Sequence, residues 1–201
     1  MKKPLSKTVL LFSGFAVLLK PSVVAAHLVT TGMGPVYDGI GHLLLTPEDL
    51  IPVVAVALYA GLRGKAFGKR ALFVFPVAWL TGGLAGLLVN ITAVFPLSVI
   101  SFLILGALIA ADFRLPERFF ASLVSLVGIL HGFFNGIAMQ GGPGTSGLLG
   151  IMATLFVLVA LLSAFIVSLQ AHWTRIAVRV AGSWICAVGL LMLGWQMRGT
   201  I

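Results

Sequence analysis

Residues 147–170 read GLLGIMATLFVLVALLSAFIVSLQ, and not one Asp, Glu, Lys or Arg interrupts them. A helix needs ~20 apolar residues to cross the hydrocarbon core of a bilayer, so this run is long enough to span it. Its neighbours are of the same kind, for example ALFVFPVAWLTGGLAGLLVN at 71–90. The whole chain of 201 residues is 60% hydrophobic and only 9% charged, with a mean hydropathy of +1.14. A soluble domain does not carry that much apolar surface. A transmembrane β-barrel would show alternating segments of ~10 residues, and these runs do not alternate. The fold class that follows is an all-α polytopic membrane protein.

The start of the chain reads as a secretory signal of residues 1–26. Lys2, Lys3 and Lys7 make a basic head, Val9–Leu19 is a short apolar stretch, and Val24-Ala25-Ala26 is a small-residue cleavage site. Cleavage there leaves His27 as the new N-terminus, whose free amine and imidazole together form a candidate metal chelate. Lys20 and Pro21 interrupt the stretch, which leaves an uncleaved anchor as the alternative. After the signal, hydropathy divides residues 27–201 into one helical domain with six transmembrane helices, at about 46–62, 71–90, 97–111, 119–139, 147–170 and 180–197. Arg63, Lys65, Lys69 and Arg70 follow the first span, Arg114 and Arg118 the third, and Arg175 and Arg179 the fifth. The opposite side carries only Arg198. Basic loops stay in the cytoplasm, so both mature termini face the periplasm of a bacterial inner membrane. Export by a signal peptide demands the same orientation.

The net charge of +8 is explained by these loops and gives no reason to expect nucleic acid as a partner. Neither G-x-x-x-x-G-K-[ST] nor G-x-G-x-x-G opening a helix is present, which argues against nucleotide-driven work by this chain alone. The single cysteine, Cys186, lies in an apolar run and has no internal partner for a disulfide. Glycines fall inside spans, as in Thr81–Gly86, TGGLAG, where small residues let helices approach closely.

Against this apolar background the polar residues are few and lie on one side. HLLLTPED at 42–49 sits at the outer mouth of the first span. Thr46, Pro47, Glu48 and Asp49 form a good helix start, with a capping hydroxyl, Pro at the first helical position and acids at the positive end of the dipole. That explains the two acids without a ligand but accounts for neither His42 nor Asp38. Residues 36–45 read as a short outer half-helix ahead of a break at Thr46-Pro47, the kind of broken helix at which transporters bind ions. In the fourth span His131 lies near the middle, and Asn135, four residues on, shares its helix face. Gly132 and Gly136 admit another helix to the same region. An ionisable residue at that depth faces a bundle interior or a polar cavity; a hydrogen bond to a neighbouring helix is the plainer alternative. Asp112 and Glu117 lie on the basic side beside Arg114 and Arg118, where a solvated charge cluster suffices. Imidazole with carboxylate is a ligand set for a divalent transition metal such as nickel, cobalt, zinc or iron.

The stretch His42–Leu58, HLLLTPEDLIPVVAVAL, resembles the H-P-x-x-G-x-D-H-L-L-A-M-V-A-V-G-L signature of the HupE/UreJ family, and HGFFNG at 131–136 resembles that family's H-G-x-x-H-G motif. The resemblance implies a small six-span membrane protein of the kind associated with hydrogenase or urease and regarded as a nickel or cobalt permease. His42 stands at the first motif histidine, Glu48 at the usual aspartate, Asp49 at the second histidine and His131 at the histidine opening the later motif. Asn135 replaces that motif's second histidine, and Ala138 stands where a glutamate is usual. Oxygen donors thus occupy positions of nitrogen donors, which leaves a harder metal, weaker binding or loss of transport as alternatives.

The expectation is therefore a divalent-cation permease and not an enzyme. The transported ion, nickel or cobalt, would be its only metal, with no tightly bound cofactor. His42, Glu48, Asp49, His131 and Asn135 are the expected metal ligands, with Asp38 and His27 as further candidates. Two rivals remain. One is an accessory or assembly subunit that packs against a metalloenzyme or its maturation partners, or on itself as a homo-oligomer. The other is an intramembrane metalloenzyme with an open water position and Glu48 as its acid or base.

Overall fold

A computed structural model describes residues 30–89, 97–169 and 172–198. The expected signal segment, residues 1–26, and His27 lie outside the described residues. These form seven helices and no strand: α1 (Pro35–Leu45), α2 (Pro47–Arg63), α3 (Lys65–Leu87), α4 (Leu97–Ala110), α5 (Glu117–Ala138), α6 (Gly144–Ser168) and α7 (His172–Arg198). By length and apolar composition α3, α5, α6 and α7 can each cross a membrane, and α1 with α2 makes a fifth if the bent pair is one broken span. The expected half-helix is α1. It ends at Thr46, and the chain turns by 76° before α2 begins. Expected spans two and six start earlier as helices, at Lys65 and His172. Helical hydrogen bonding continues through their charged first turns, which hydropathy alone does not count.

The middle of the bundle is α2. Val53, Ala55, Val56, Ala57, Tyr59 and Ala60 are all buried, and α2 touches α3, α4 and α6. Its alanines explain this position, since small side chains on several faces admit neighbours on several sides. A tight seam joins α3 to α5. A Cβ placed on Gly82 or Gly86 of α3 would strike the carbonyl oxygens of Ile129 or Phe133. One placed on Gly132 or Gly136 of α5 would strike those of Trp79 or Gly83. The two backbones are therefore in direct contact, as the TGGLAG and HGFFNG glycines lead one to expect. On the outside, α7 packs chiefly on α4 and shows Trp184, Leu190, Leu191 and Trp195 outward, as a lipid-facing helix does.

The basic loops converge on one end as a set of ion pairs, largely covered at Arg63 and Asp112 and open to solvent at Arg70, Glu117 and Arg175. Asp112 takes ion pairs from Arg63 at the end of α2 and from Arg175 in α7, the latter at 2.5 Å, and Glu117 pairs with Arg70 at 2.8 Å. Neither acid pairs with its sequence neighbours Arg114 and Arg118. Asp112 adopts a left-handed backbone (φ 53) that aspartate tolerates better than most residues. Tyr59 reinforces the clasp: its hydroxyl donates to Phe113 O at 2.7 Å and accepts from Leu115 N at 3.0 Å. At the opposite end Gln140 donates to Gly86 O and Val89 O, both at 2.8 Å, tying the α5–α6 turn to the end of α3.

Burial opposes ionisation of Asp112. The hydrogen bond from Arg175 and the charge and hydrogen bond of Arg63 outweigh it and hold the carboxyl below the ordinary aspartate range. A carboxyl whose folded pKa is depressed stabilises the fold above its unfolded pKa of about 3.9, and that contribution is lost as pH falls through the lower folded value. The detergent-solubilised protein should thus lose thermal stability on acidification below about pH 4. Asp112→Asn should remove this step and lower the melting temperature at neutral pH. An unchanged acid profile in the variant would show that Asp112 is not the group responsible.

Candidate metal centre

The sequence of α2 decides which of its two adjacent acids turns inward. Asp49, Pro52, Val53 and Val56 are buried and follow the i, i+3, i+4, i+7 rule of one helix face. Glu48, about 100° round the helix, is exposed. Asp49 therefore points into the bundle from the first turn of α2, where the helix dipole favours its negative charge. Thr46 gives no side-chain cap to that turn.

Asp49 is the hub of the site. Its Oδ1 lies 2.9 Å from Nδ1 of His131 on α5, its Oδ2 accepts from Nδ2 of Asn135 at 3.0 Å, and Oδ2 lies 3.8 Å from Nε2 of His42 on α1. The first two are hydrogen bonds, while the third is too long for a direct one. All four residues are deeply buried: Asp49 is 8% exposed, His42 7%, His131 3% and Asn135 4%. The α3–α5 seam holds His131 and Asn135 in place, since Gly132 and Gly136 lie within it.

A further partner was not visible in the sequence. Ser101 of α4 places its Oγ 3.0 Å from Nε2 of His131 and 2.9 Å from Leu97 O. Asp49, His131 and Ser101 thus form one line of hydrogen bonds across α2, α5 and α4. An ionised Asp49 only accepts, so His131 carries its proton on Nδ1. Nε2 then either accepts from the Ser101 hydroxyl or, when the ring is protonated, donates to it while the hydroxyl turns to Leu97 O. Either way both ring nitrogens are occupied within the protein.

Two polar atoms beside this line are buried without a partner: Oδ1 of Asn135 and Nε1 of Trp79. Asn135 uses its amide nitrogen twice, on Asp49 and on His131 O at 3.0 Å, which fixes its flip and leaves the oxygen free. Trp79 stacks on the His131 ring, centroids 5.4 Å apart and planes at 27°. A bare carbonyl oxygen, a carboxylate and two imidazoles are all cation donors. They do not converge on one point as they stand: among the described residues no three His, Cys, Asp or Glu side chains are arranged to hold a metal ion. His42, Asp49 and His131 form a chain with Asp49 in the middle.

Asp38, expected to attract the cation, accepts from Thr31 N at 2.6 Å and from Thr31 Oγ1 at 2.7 Å. It secures the turn before α1 and is not among the groups bonded to Asp49. Of the expected ligands, then, the fold gathers His42, Asp49, His131 and Asn135, leaves Glu48 outside, and adds Ser101.

Fold and site together define a multi-pass helical membrane protein with a buried carboxylate–imidazole centre near one end of the bundle. The HupE / UreJ protein family model matches residues 15–192, and the chain belongs to that family. It is 23% identical over 184 residues to Protein HupE of Rhizobium leguminosarum bv. viciae, covering 89% of this chain and 94% of that protein. No solved structure matches it.

Proposed function

We propose that the chain is a bacterial inner-membrane permease for a divalent transition-metal cation, nickel or cobalt, taken from the periplasmic side. The observation that carries the reading is the Asp49 carboxylate, buried in an apolar bundle and facing imidazoles from two other helices. An intramembrane acid is costly and marks ion or proton pathways. In this reading α2 to α7 are six spans of alternating direction, α2 and α4 being the short ones. The clasp around Asp112 lies in the cytoplasm, and both mature termini, with His27 exposed by cleavage after Ala26, lie outside. Exposed Glu48 attracts the ion at the mouth instead of ligating it. The ion takes Nε2 of His131 by displacing the Ser101 hydroxyl, while Nδ1 stays on Asp49, the carboxylate–histidine–metal order common at metal sites. His42, Asp49 Oδ2 and the free Asn135 oxygen lie on the other side of that ring, and are donors for a separate stop along the ion's path and not co-ligands of an ion on Nε2.

Sealed proteoliposomes offered nickel, cobalt, zinc, iron and manganese in turn test this reading. Saturable uptake of nickel or cobalt is expected, and it should be lost in His42→Ala. Ser101→Ala should fold normally and raise apparent metal affinity by roughly fivefold, because it removes one hydrogen bond that competes for Nε2. Unchanged affinity would show that Nε2 is not the binding atom.

One observation favours a second reading. His131 is satisfied on both nitrogens without any ion, as expected of a histidine that locks helices together. The chain would then be a non-transporting accessory subunit for a metalloenzyme. Absence of both uptake and metal binding in folded protein would establish that alternative.

A further inference from the structure

The basic end of the bundle holds a second feature that the metal centre does not use. Between the first turns of α3 and the last turns of α6 runs a groove of about 580 Å³, lined in part by Lys65, Lys69, Leu72, Ala160, Ser163 and Ala164. That volume lies within the ~300–1,000 Å³ usual for small-molecule sites. The groove exists partly because position 68 is glycine, where an added Cβ would come to 3.3 Å from Ser163 Oγ. Ser163 is only 6% exposed, lines the groove, and its hydroxyl has no hydrogen-bond partner among the described residues.

The charges here are distributed unequally. Arg63, Arg70 and Arg175 are each taken by Asp112 or Glu117. Lys65 and Lys69, four residues apart and so on one helix face, are exposed, and neither is paired with a carboxylate among the described residues. One end of the groove thus offers two free ammonium groups. Beyond them the wall turns apolar through Leu72, Ala160 and Ala164, with the Ser163 hydroxyl among them.

We infer that this groove binds an anionic phospholipid, its phosphate on Lys65 and Lys69 and an acyl chain along the α3–α6 wall. Basic residues at the end of a span attract acidic headgroups, and basic recesses between transmembrane helices hold them. A soluble anion would have no use for the apolar wall. A second copy of the chain docked by two-fold symmetry would bring the same four lysines together, which like-charge repulsion opposes. The inference rests on the chain's residence in a membrane and not on metal transport, so the two fail separately.

Native mass spectrometry of the full-length protein in detergent, with equal amounts of phosphatidylglycerol and phosphatidylcholine of matched chains, tests it. Wild type should retain phosphatidylglycerol about tenfold or more over phosphatidylcholine, the scale set by two lysines near an acidic surface. Lys65→Gln with Lys69→Gln should bring the two lipids level. Ala164→Leu, which fills the groove and leaves both lysines, should reduce retention of both, and millimolar inorganic phosphate should not compete. Equal retention by wild type, or full preference kept by the lysine double variant, would overturn the inference. So would a lipid-free dimer that Ala164→Leu dissociates, because the occupant would then be a second copy. Melting curves establish folding of each variant, and if Ala164→Leu fails to fold the lysine pair decides alone.

Discussion

On the permease reading, Asp49→Asn should reduce metal uptake by up to about a hundredfold, the upper end of what partners of metal-bound histidines contribute. The change is nearly isosteric, so its effect is electronic. Asp49 accepts from both His131 and Asn135 through separate oxygens, and an amide has only one acceptor oxygen. Whichever way it turns, an N–H faces another donor. That leaves one buried group unsatisfied at a cost of about 1–3 kcal/mol and removes the only negative charge bonded to His131. Binding measured by equilibrium dialysis and uptake into proteoliposomes should fall together, while helical content in detergent is retained. Uptake within twofold of wild type would remove Asp49 from the mechanism.

Gly132→Ala should be among the most destabilising single-methyl changes in the bundle. The new Cβ would run into the carbonyl oxygen of Trp79, a backbone atom that cannot rotate away, so α3 and α5 must separate. A loss of about 4 kcal/mol or more is expected, in the range reserved for a named structural failure. Because the displaced residue adjoins His131, the Asp49–His131 centre should open with the seam. Gly194→Ala in α7 is the control, since a Cβ there meets nothing within 4 Å, and alanine favours helix over glycine by about 1 kcal/mol. Thermal unfolding of the two variants in one detergent should separate them clearly. A Gly132→Ala melting temperature within about 2 °C of wild type, equivalent to about 0.5–1 kcal/mol, would show that the seam is not closed to side chains.

The features legible in the sequence were those written in short-range periodicity. Apolar runs marked the helices, Thr46-Pro47 marked the break, and glycines four residues apart in HGFFNG marked a close seam. Periodicity also holds the choice between Glu48 and Asp49, since only Asp49 falls in register with Pro52, Val53 and Val56. The unreadable features were pairings across the fold. Ser101 stands in LSVISF, where a serine bonded to the carbonyl four residues back is ordinary, and nothing local sets it against a histidine thirty residues away. Asp112 and Glu117 have arginines two positions off and one position off, yet their partners come from α2, α3 and α7. Hydropathy assigned those arginines to loops but not to each other. Asp38 likewise showed its charge and not its employment by Thr31, which depends on how the chain enters α1.

Trp79 gives the centre an optical readout. Its indole stacks on the His131 ring with the planes at 27°, and the negative face of an indole responds to positive charge placed against it. Protonation of His131, or arrival of nickel or cobalt at that ring, should therefore quench Trp79 emission. The other tryptophans, Trp173, Trp184 and Trp195, all lie on α7 and face outward, so replacing them with phenylalanine should leave one fluorophore, beside the Asp49–His131 centre. On the permease reading, such a variant would let arrival and departure of the ion be timed within a single turnover, without a label.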